Sequence, residues 1–201
     1  SVTSNNSIIT VKSAPTIISS PVNTTVCAGQ PVNASVSANT NGGGSLSYQW
    51  ISDGTAVSGA NSSNFLIERA SLNDNGKVYT VAVTNSCGRI SGGSFTLNVG
   101  DKPKDVIIST SISNKDLAGN PAVCTGSPIT FLVQSVSNGF SPSYTWLKDD
   151  IAGNTSPNNT FNIMASTTTD AGTYKLKVSN TCGITTSNSI TIGVHEKPII
   201  A

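Results

Sequence analysis

The chain repeats itself, and that constrains it more than any other feature. Val26-Cys27-Ala28-Gly29 is answered by Val123-Cys124-Thr125-Gly126, Tyr48-Gln49-Trp50 by Tyr144-Thr145-Trp146, and Asn85-Ser86-Cys87-Gly88 by Asn180-Thr181-Cys182-Gly183, at offsets of 97, 96 and 95 residues. A repeat of this length predicts two copies of one small domain, and whatever fold is proposed has to be built twice from the same pattern.

Composition decides what kind of unit repeats. The 201 residues include 31 Ser, 24 Thr and 21 Asn but only two Glu, Glu68 and Glu196. Short polar side chains that compete for backbone hydrogen bonds are poor helix formers, so the chain reads as all-β. The apolar residues alternate as half-buried strands require. Val32, Ala34 and Val36 follow the Gly29 turn, and Ile129, Phe131 and Val133 follow Gly126 at the same spacing. Phe65 with Ile67 and Phe161 with Ile163 mark a later strand, and Phe95, Leu97 and Val99, or Ile190, Ile192 and Val194, the last one. Trp50, Trp146, Tyr79 and Tyr174 are the expected centres of the two cores, with Tyr48 and Tyr144 on the same faces as the tryptophans.

The ends of the chain carry a further expectation. Ser94–Val99 with Pro103 matches Ser189–Val194 with Pro198, and Ser7–Val11 with Pro15 resembles both. Residues 1–14 then read as the last strand of a preceding repeat, 15–100 and 101–195 as two domains, and 196–201 as the start of a following repeat. The expected whole is a segment of a longer tandem array.

Taken in order, the C-x-G before the second strand, the Y-x-W on the third, Asp170-Ala171-Gly172-Thr173-Tyr174 as a D-x-G-x-Y tyrosine corner, and the N-x-C-G after it resemble bacterial immunoglobulin-like repeats, particularly those of long surface proteins of the Bacteroidota. The first block has Asp74-Asn75-Gly76-Lys77-Val78-Tyr79, one residue longer at the corner. The resemblance covers nearly all of both blocks. It implies two tandem immunoglobulin-like β-sandwiches, export, commonly by the type IX route, and a role as spacer or adhesive stalk at the cell surface. It names no ligand.

The four cysteines depart from the antibody pattern. There the bridge joins the middles of the second and sixth strands, positions that here fall on Val36 with Val81 and Val133 with Leu176. Cys27 and Cys124 instead precede the second strand, while Cys87 and Cys182 follow the sixth. Those two strands run the same way, so the two sites lie at opposite ends of a sandwich, too far apart for the roughly 7 Å that a disulfide tolerates between Cα atoms. The expectation is an interdomain disulfide between Cys27 and Cys182, with Cys87 and Cys124 bonded to neighbouring repeats, stiffening a filament. Intradomain pairing and free thiols are the alternatives. Zinc is disfavoured because C-x-x-C pairs are absent.

Little else suggests chemistry. A net charge of +1 with 10% charged residues offers no basic stripe for nucleic acid. No apolar run approaches the roughly 20 residues that span a bilayer. His195 reads as a linker residue, and G-x-S-x-G is absent. Adjacent Asp149 and Asp150 read as turn formers, not as an acid/base pair. Asp101, Asp105 and Asp116 are loose calcium candidates that read as linker charges. N-x-S/T matches such as those beginning at Asn23, Asn33, Asn61 and Asn158 are what chance supplies in such a composition, and Asn33 beside Ala34 reads as structural. Phe140 stands in a loop where it would pack at a joint or touch a ligand. The sequence thus predicts a non-enzymatic segment without cofactor or metal, in an adhesin or stalk, whose partners are neighbouring repeats. The alternatives are a module gripping a glycan or protein ligand, or an accessory region of a secreted hydrolase.

Overall fold

Apolar side chains at every second position, separated by Ser, Thr and Asn, give each segment one face to bury and one to leave in water, and the chain folds as strands throughout. The computed structural model describes residues 9–136, 140–156 and 159–198. Two units divide the chain, one ending at Gly100 and the other beginning at Asp101. Ser7 and Ile8 of the proposed leading strand, Gly139 beside Phe140, the acceptor Asn158, and Ile199–Ala201 of the proposed following repeat lie outside the described residues.

In the first unit the strands are β1 (Thr16–Ser19), β2 (Thr24–Cys27), β3 (Val32–Ser35), β4 (Ser37–Asn39), β5 (Ser47–Ser52), β6 (Thr55–Ala56), β7 (Asn64–Ile67), β8 (Val78–Asn85) and β9 (Gly88–Gly100). One sheet has the order β2-β9-β8-β5-β6, with β2 parallel to β9 and the rest antiparallel. The facing layer consists of the antiparallel pairs β1-β4 and β3-β7.

The second unit repeats the plan with β10 (Lys104–Thr110), β11 (Ala122–Cys124), β12 (Ile129–Val136), β13 (Ser143–Lys148), β14 (Ile151–Ser156), β15 (Thr160–Ile163), β16 (Gly172–Asn180), β17 (Gly183–Thr186) and β18 (Ile190–His195). Its layers are β10-β12-β15 and β11-β18-β16-β13-β14, with β17 paired to β16. Again the β11–β18 pair is parallel.

Each unit has its own core. Trp50 is fully buried and stacks on Phe65 at 5.2 Å between ring centroids, while Tyr79 stacks on Phe95 at 5.2 Å. In the second unit Trp146 stacks on Phe161 at 5.3 Å, and Phe131 lies 4.7 Å from Tyr174. The fourth ring comes from different strands: Phe95 on β9 faces a core in which β3 supplies Ala34, whereas Phe131 on β12 replaces Ala34 and the last strand supplies Ile190. Total aromatic volume is kept while its source moves across the sandwich, as close packing requires. Val36 and Val81, where an antibody domain has its bridge, meet under Gly92; a Cβ there would come within 3.0 Å of both.

Short turns set the remaining geometry. The β5–β6 and β13–β14 hairpins turn on Asp53-Gly54 (φ 45° and 85°) and Asp149-Asp150 (φ 52° and 63°), the positive angles of a primed two-residue turn. Before β8 and β16 lie single 3₁₀ turns, Leu72–Asp74 and Thr168–Asp170, closed by capping boxes: Asp74 accepts from the Ser71 N–H (2.9 Å) and Asp170 from the Thr167 N–H (2.7 Å). The Tyr174 hydroxyl then donates to the Asp170 carbonyl at 2.7 Å, closing the tyrosine corner of the second unit. In the first unit, with its extra residue, Tyr79 is buried at the equivalent position on β8.

One reading needs correction. His195 is not a linker residue: it ends β18, paired with Cys124, because β11 adds to the sheet edge in parallel and extends the last strand to that position. The β2 and β11 strands that do this are four and three residues long and lack the alternation that would reveal them.

Candidate functional site

The chemically distinctive groups are the cysteines, and each unit presents them at two built ends. At one end stands C-x-G. Cys27 closes β2 opposite Gly100, the last residue of β9, and the Ala28 N–H donates to the Gly100 carbonyl at 2.8 Å. The chain then reverses, with the Gln30 N–H returning to the Cys27 carbonyl at 3.1 Å. Gly29 sits at the third position of that turn with φ 85°, where a side chain would be strained. Its N–H donates to the Ala70 carbonyl at 2.7 Å. Cys124-Thr125-Gly126-Ser127 repeats every bond: Thr125 N–H to the His195 carbonyl, Ser127 N–H to the Cys124 carbonyl, and Gly126 N–H to the Ser166 carbonyl.

At the other end stands N-x-C-G, the tight turn between the last two long strands. Asn85 is 8% exposed and uses both ends of its amide. Oδ1 accepts from the Cys87 and Gly88 N–H groups at 2.9 and 3.1 Å, while Nδ2 donates to the Ser13 and Thr40 carbonyls, both at 2.9 Å. Asn180 does the same in the second unit, with Oδ1 accepting from Cys182 N–H at 2.8 Å and Nδ2 donating to the Asp101 carbonyl at 2.7 Å. The closing glycine lets the entering chain come close: a Cβ on Gly183 would lie 3.2 Å from Lys102 Cβ, and one on Gly88 3.4 Å from Ala14 Cβ.

Strand β9 separates the two ends within the first unit. Cys27 pairs beside Gly100, Cys87 precedes Gly88, and the twelve steps between them span about 40 Å at about 3.3 Å per residue. That distance forbids a bridge inside the unit. Cys27 and Cys182 are each disulfide-bonded. Cys87 and Cys124 are free thiols, both exposed.

The carboxylates serve the backbone. Asp149 accepts from the Thr173 N–H at 2.8 Å, the main reason its carboxyl is held below the usual range, and Asp150 pairs with Lys175. Asp116 accepts from the Ala118 and Asn120 N–H groups, both at 2.9 Å, and is lowered chiefly by the Asn120 N–H. Asp101 is lowered first by its Lys104 partner. Asp105 adopts φ 49°. Asp101 and Asp116 are thus built into turns, more than the solvated linker charges expected. Among the described residues no group of three His, Cys, Asp or Glu side chains is placed to hold a metal.

The aromatics are all spoken for. Trp50, Trp146, Tyr79 and Tyr174 lie in the cores. Tyr144 is buried, and Tyr48, Phe140 and Phe161 are half-buried. The cavities are open to solvent; one of about 350 Å³ along β5, β8 and β9 is lined by Ile51, Thr80, Val81, Ala82, Arg89, Ile90 and Ser91. Among the described residues no helix is long and apolar enough to cross a membrane.

Comparison with known proteins agrees with this architecture. Residues 110–192 are similar to the PKD-like domain family. No match was found among curated proteins. Similar solved structures include the I-band fragment I67-I69 from titin (TM-score 0.74, 16% identity, covering 92% of this chain and 66% of that one) and Sidekick-1 immunoglobulin domains 1-5 (0.56, 19%, 92% and 38%). A third is DIP-gamma IG1+IG2 (0.57, 15%, 91% and 98%). The chain thus spans less than two thirds of the titin and Sidekick-1 chains it matches. At these identities the likeness is one of fold, and it agrees with the layers, the core tryptophans and the tyrosine corner: the chain is built on the immunoglobulin-like β-sandwich.

Proposed function

We propose that the chain is a non-enzymatic structural segment of an extracellular adhesin or stalk, in which successive immunoglobulin-like repeats are joined by disulfides. The observation that carries this reading is the placement of the cysteines. Every unit offers one thiol at each end, the ends are too far apart to bridge internally, and one cysteine of each kind, Cys27 and Cys182, is disulfide-bonded while the others stand exposed. Cys27 bonds Cys182, and Cys87 and Cys124 bond the neighbouring repeats. Stable disulfides favour an oxidising compartment, hence the cell surface or beyond it. The PKD-like match and the sandwich fold are compatible with a spacer.

The repeat boundaries proposed are 15–100 and 101–195, with residues 1–14 as the last strand of a preceding repeat and 196–201 opening the next. Ile9 and Val11 support the first of these. They stand at the same distance from the following proline as Leu97 and Val99, which are 0% and 2% exposed, yet each is 86% exposed here. A preceding sandwich body would cover that face. The origin in Bacteroidota surface proteins and the type IX route rest on the sequence resemblance alone.

Non-reducing peptide mapping tests the joint. A crosslinked peptide containing Cys27 and Cys182 is the expected product, and one joining Cys27 to Cys87 would overturn the reading. A glycan- or protein-binding module is the competing function. The burial of both tryptophans and of Tyr79, Tyr144 and Tyr174 favours the stalk, because glycan sites are usually faced with exposed rings; specific glycan-array binding abolished by changes in the β8–β9 or β16–β17 turn would favour the module.

A further inference from the structure

Asn180 makes one bond that its own turn needs and one that it does not. The Oδ1 acceptance from Cys182 N–H is the local bond of an Asx turn and suffices to shape a tight connection. The Nδ2 donation to the Asp101 carbonyl reaches 79 positions back, to the segment through which the chain enters the unit. Thr185 Oγ1 donates to the Pro103 carbonyl from the adjoining strand, and Gly183 is the residue whose missing Cβ lets Lys102 approach. The same clasp recurs in the first unit, where Asn85 holds the Cys87 turn to Ser13 by the equivalent bond. The device is repeated in register, each time with a cysteine two residues on whose N–H the same asparagine holds.

We infer that Asn180 is a positioning residue for the disulfide: by tying the β16–β17 turn to the entering chain, it holds the Cys182 sulfur where its partner can reach it. The inference rests on the Cys27–Cys182 pairing proposed above. A sulfur already held in place loses less freedom when the bond forms, so the bridge is more stable against reduction. Oxidation is a two-electron exchange with glutathione disulfide. One protein thiolate attacks it and releases one glutathione, and the second protein thiolate displaces the other, leaving one protein S–S bond and two reduced glutathiones.

The test is a glutathione redox titration of the whole chain carrying C87S and C124S, so that one pair can form. Asn180→Ala is expected to lower the equilibrium constant for the bridge about tenfold, equivalent to a reduction potential about 30 mV less negative. Asn188→Ala is the control for a merely structural effect. Asn188 clamps the Ile108 backbone in the same unit by two bonds, Oδ1 from its N–H at 2.8 Å and Nδ2 to its carbonyl at 3.1 Å, but touches no cysteine turn. That variant is expected to titrate with the parent. Should Asn180→Ala fail to fold, Asn180→Asp keeps the acceptor for Cys182 N–H, loses the donor, and is read the same way. An Asn180 variant that titrates with the parent, or a drop of equal size in Asn188→Ala, overturns the inference while leaving the pairing intact. A parent in which no Cys27–Cys182 peptide forms overturns the pairing itself, and this inference with it.

Discussion

Asn85 shows how much a single side chain can carry here. It fills two donor and two acceptor positions while nearly excluded from water, so each bond it loses leaves a buried polar group unpaired. Gly43 makes room for it: a Cβ at that position would lie 2.0 Å from Asn85 Nδ2. Gly43→Ala is therefore expected to displace the amide and destabilise the first unit by about 1–3 kcal/mol, read as a shift in its chemical denaturation midpoint. The Tyr174 hydroxyl is comparable in the second unit. Burial, reinforced by the nearby charges of Asp170 and Asp149, pushes its pKa up to about 12. Since the folded value lies above the unfolded value of about 10, the protein keeps its full stability from this group below about pH 10 and loses it as pH rises toward 12. An ultraviolet titration of tyrosinate should show this ring ionising after a free tyrosine would, and Tyr174→Phe should remove that late step. N-x-C-G was legible as a repeated motif, but the meaning of its asparagine was not: the bond from Asn85 reaches 72 positions back, to a Ser13 carbonyl that any residue could offer.

At the scale of strands and turns, the two units solve one packing problem with exchanged parts. Ala34 with Phe95 in the first unit corresponds to Phe131 with Ile190 in the second. Ala34→Phe alone should overpack the first core and cost about 1–3 kcal/mol, whereas Ala34→Phe with Phe95→Ile should recover much of that loss; a double-mutant cycle by denaturant unfolding measures the coupling. The 3₁₀ turns carry an acid-sensitive element as well. Asp74 is held below the ordinary carboxylate range, first by its hydrogen bond to Lys77, against an opposing effect of burial. Its folded value being lower than the unfolded one, the stabilisation is present above about pH 4 and disappears as pH falls through the folded value. Asp74→Asn should accordingly flatten the acid limb of a plot of unfolding temperature against pH. The long strands could be read from alternation because each has one wet and one dry face. β2 and β11 could not: they are short and sit on a sheet edge, held by backbone pairing with a neighbour that the linear sequence does not advertise.

For the molecule as a whole, the all-β immunoglobulin-like class was legible because the same order of weak motifs appears twice, and two independent copies of a pattern constrain more than one strong motif. The chemistry of the ends was legible only in part: the positions of the cysteines ruled out an antibody-type bridge, but the turns that hold them are set by contacts distant in sequence. The two cores share no residue. In the reduced chain, Trp50→Ala should cost about 3–5 kcal/mol and lower only the first unit's calorimetric transition. The parallel edge pair has a mechanical consequence. β2 lies near the start of the first unit and β9 at its finish, and they run the same way, so in the reduced chain, where no Cys27 disulfide carries the load past β9, tension applied through the two ends slides one strand along the other. Their ladder then bears the load as a set in shear; an antiparallel hairpin would be peeled one bond at a time. Ala28→Pro deletes the N–H that bonds Gly100 but suits the second position of the turn after Cys27, where proline is favoured. In the reduced chain, single-molecule extension should find that variant yielding at a lower force than the parent, with its resting stability changed far less.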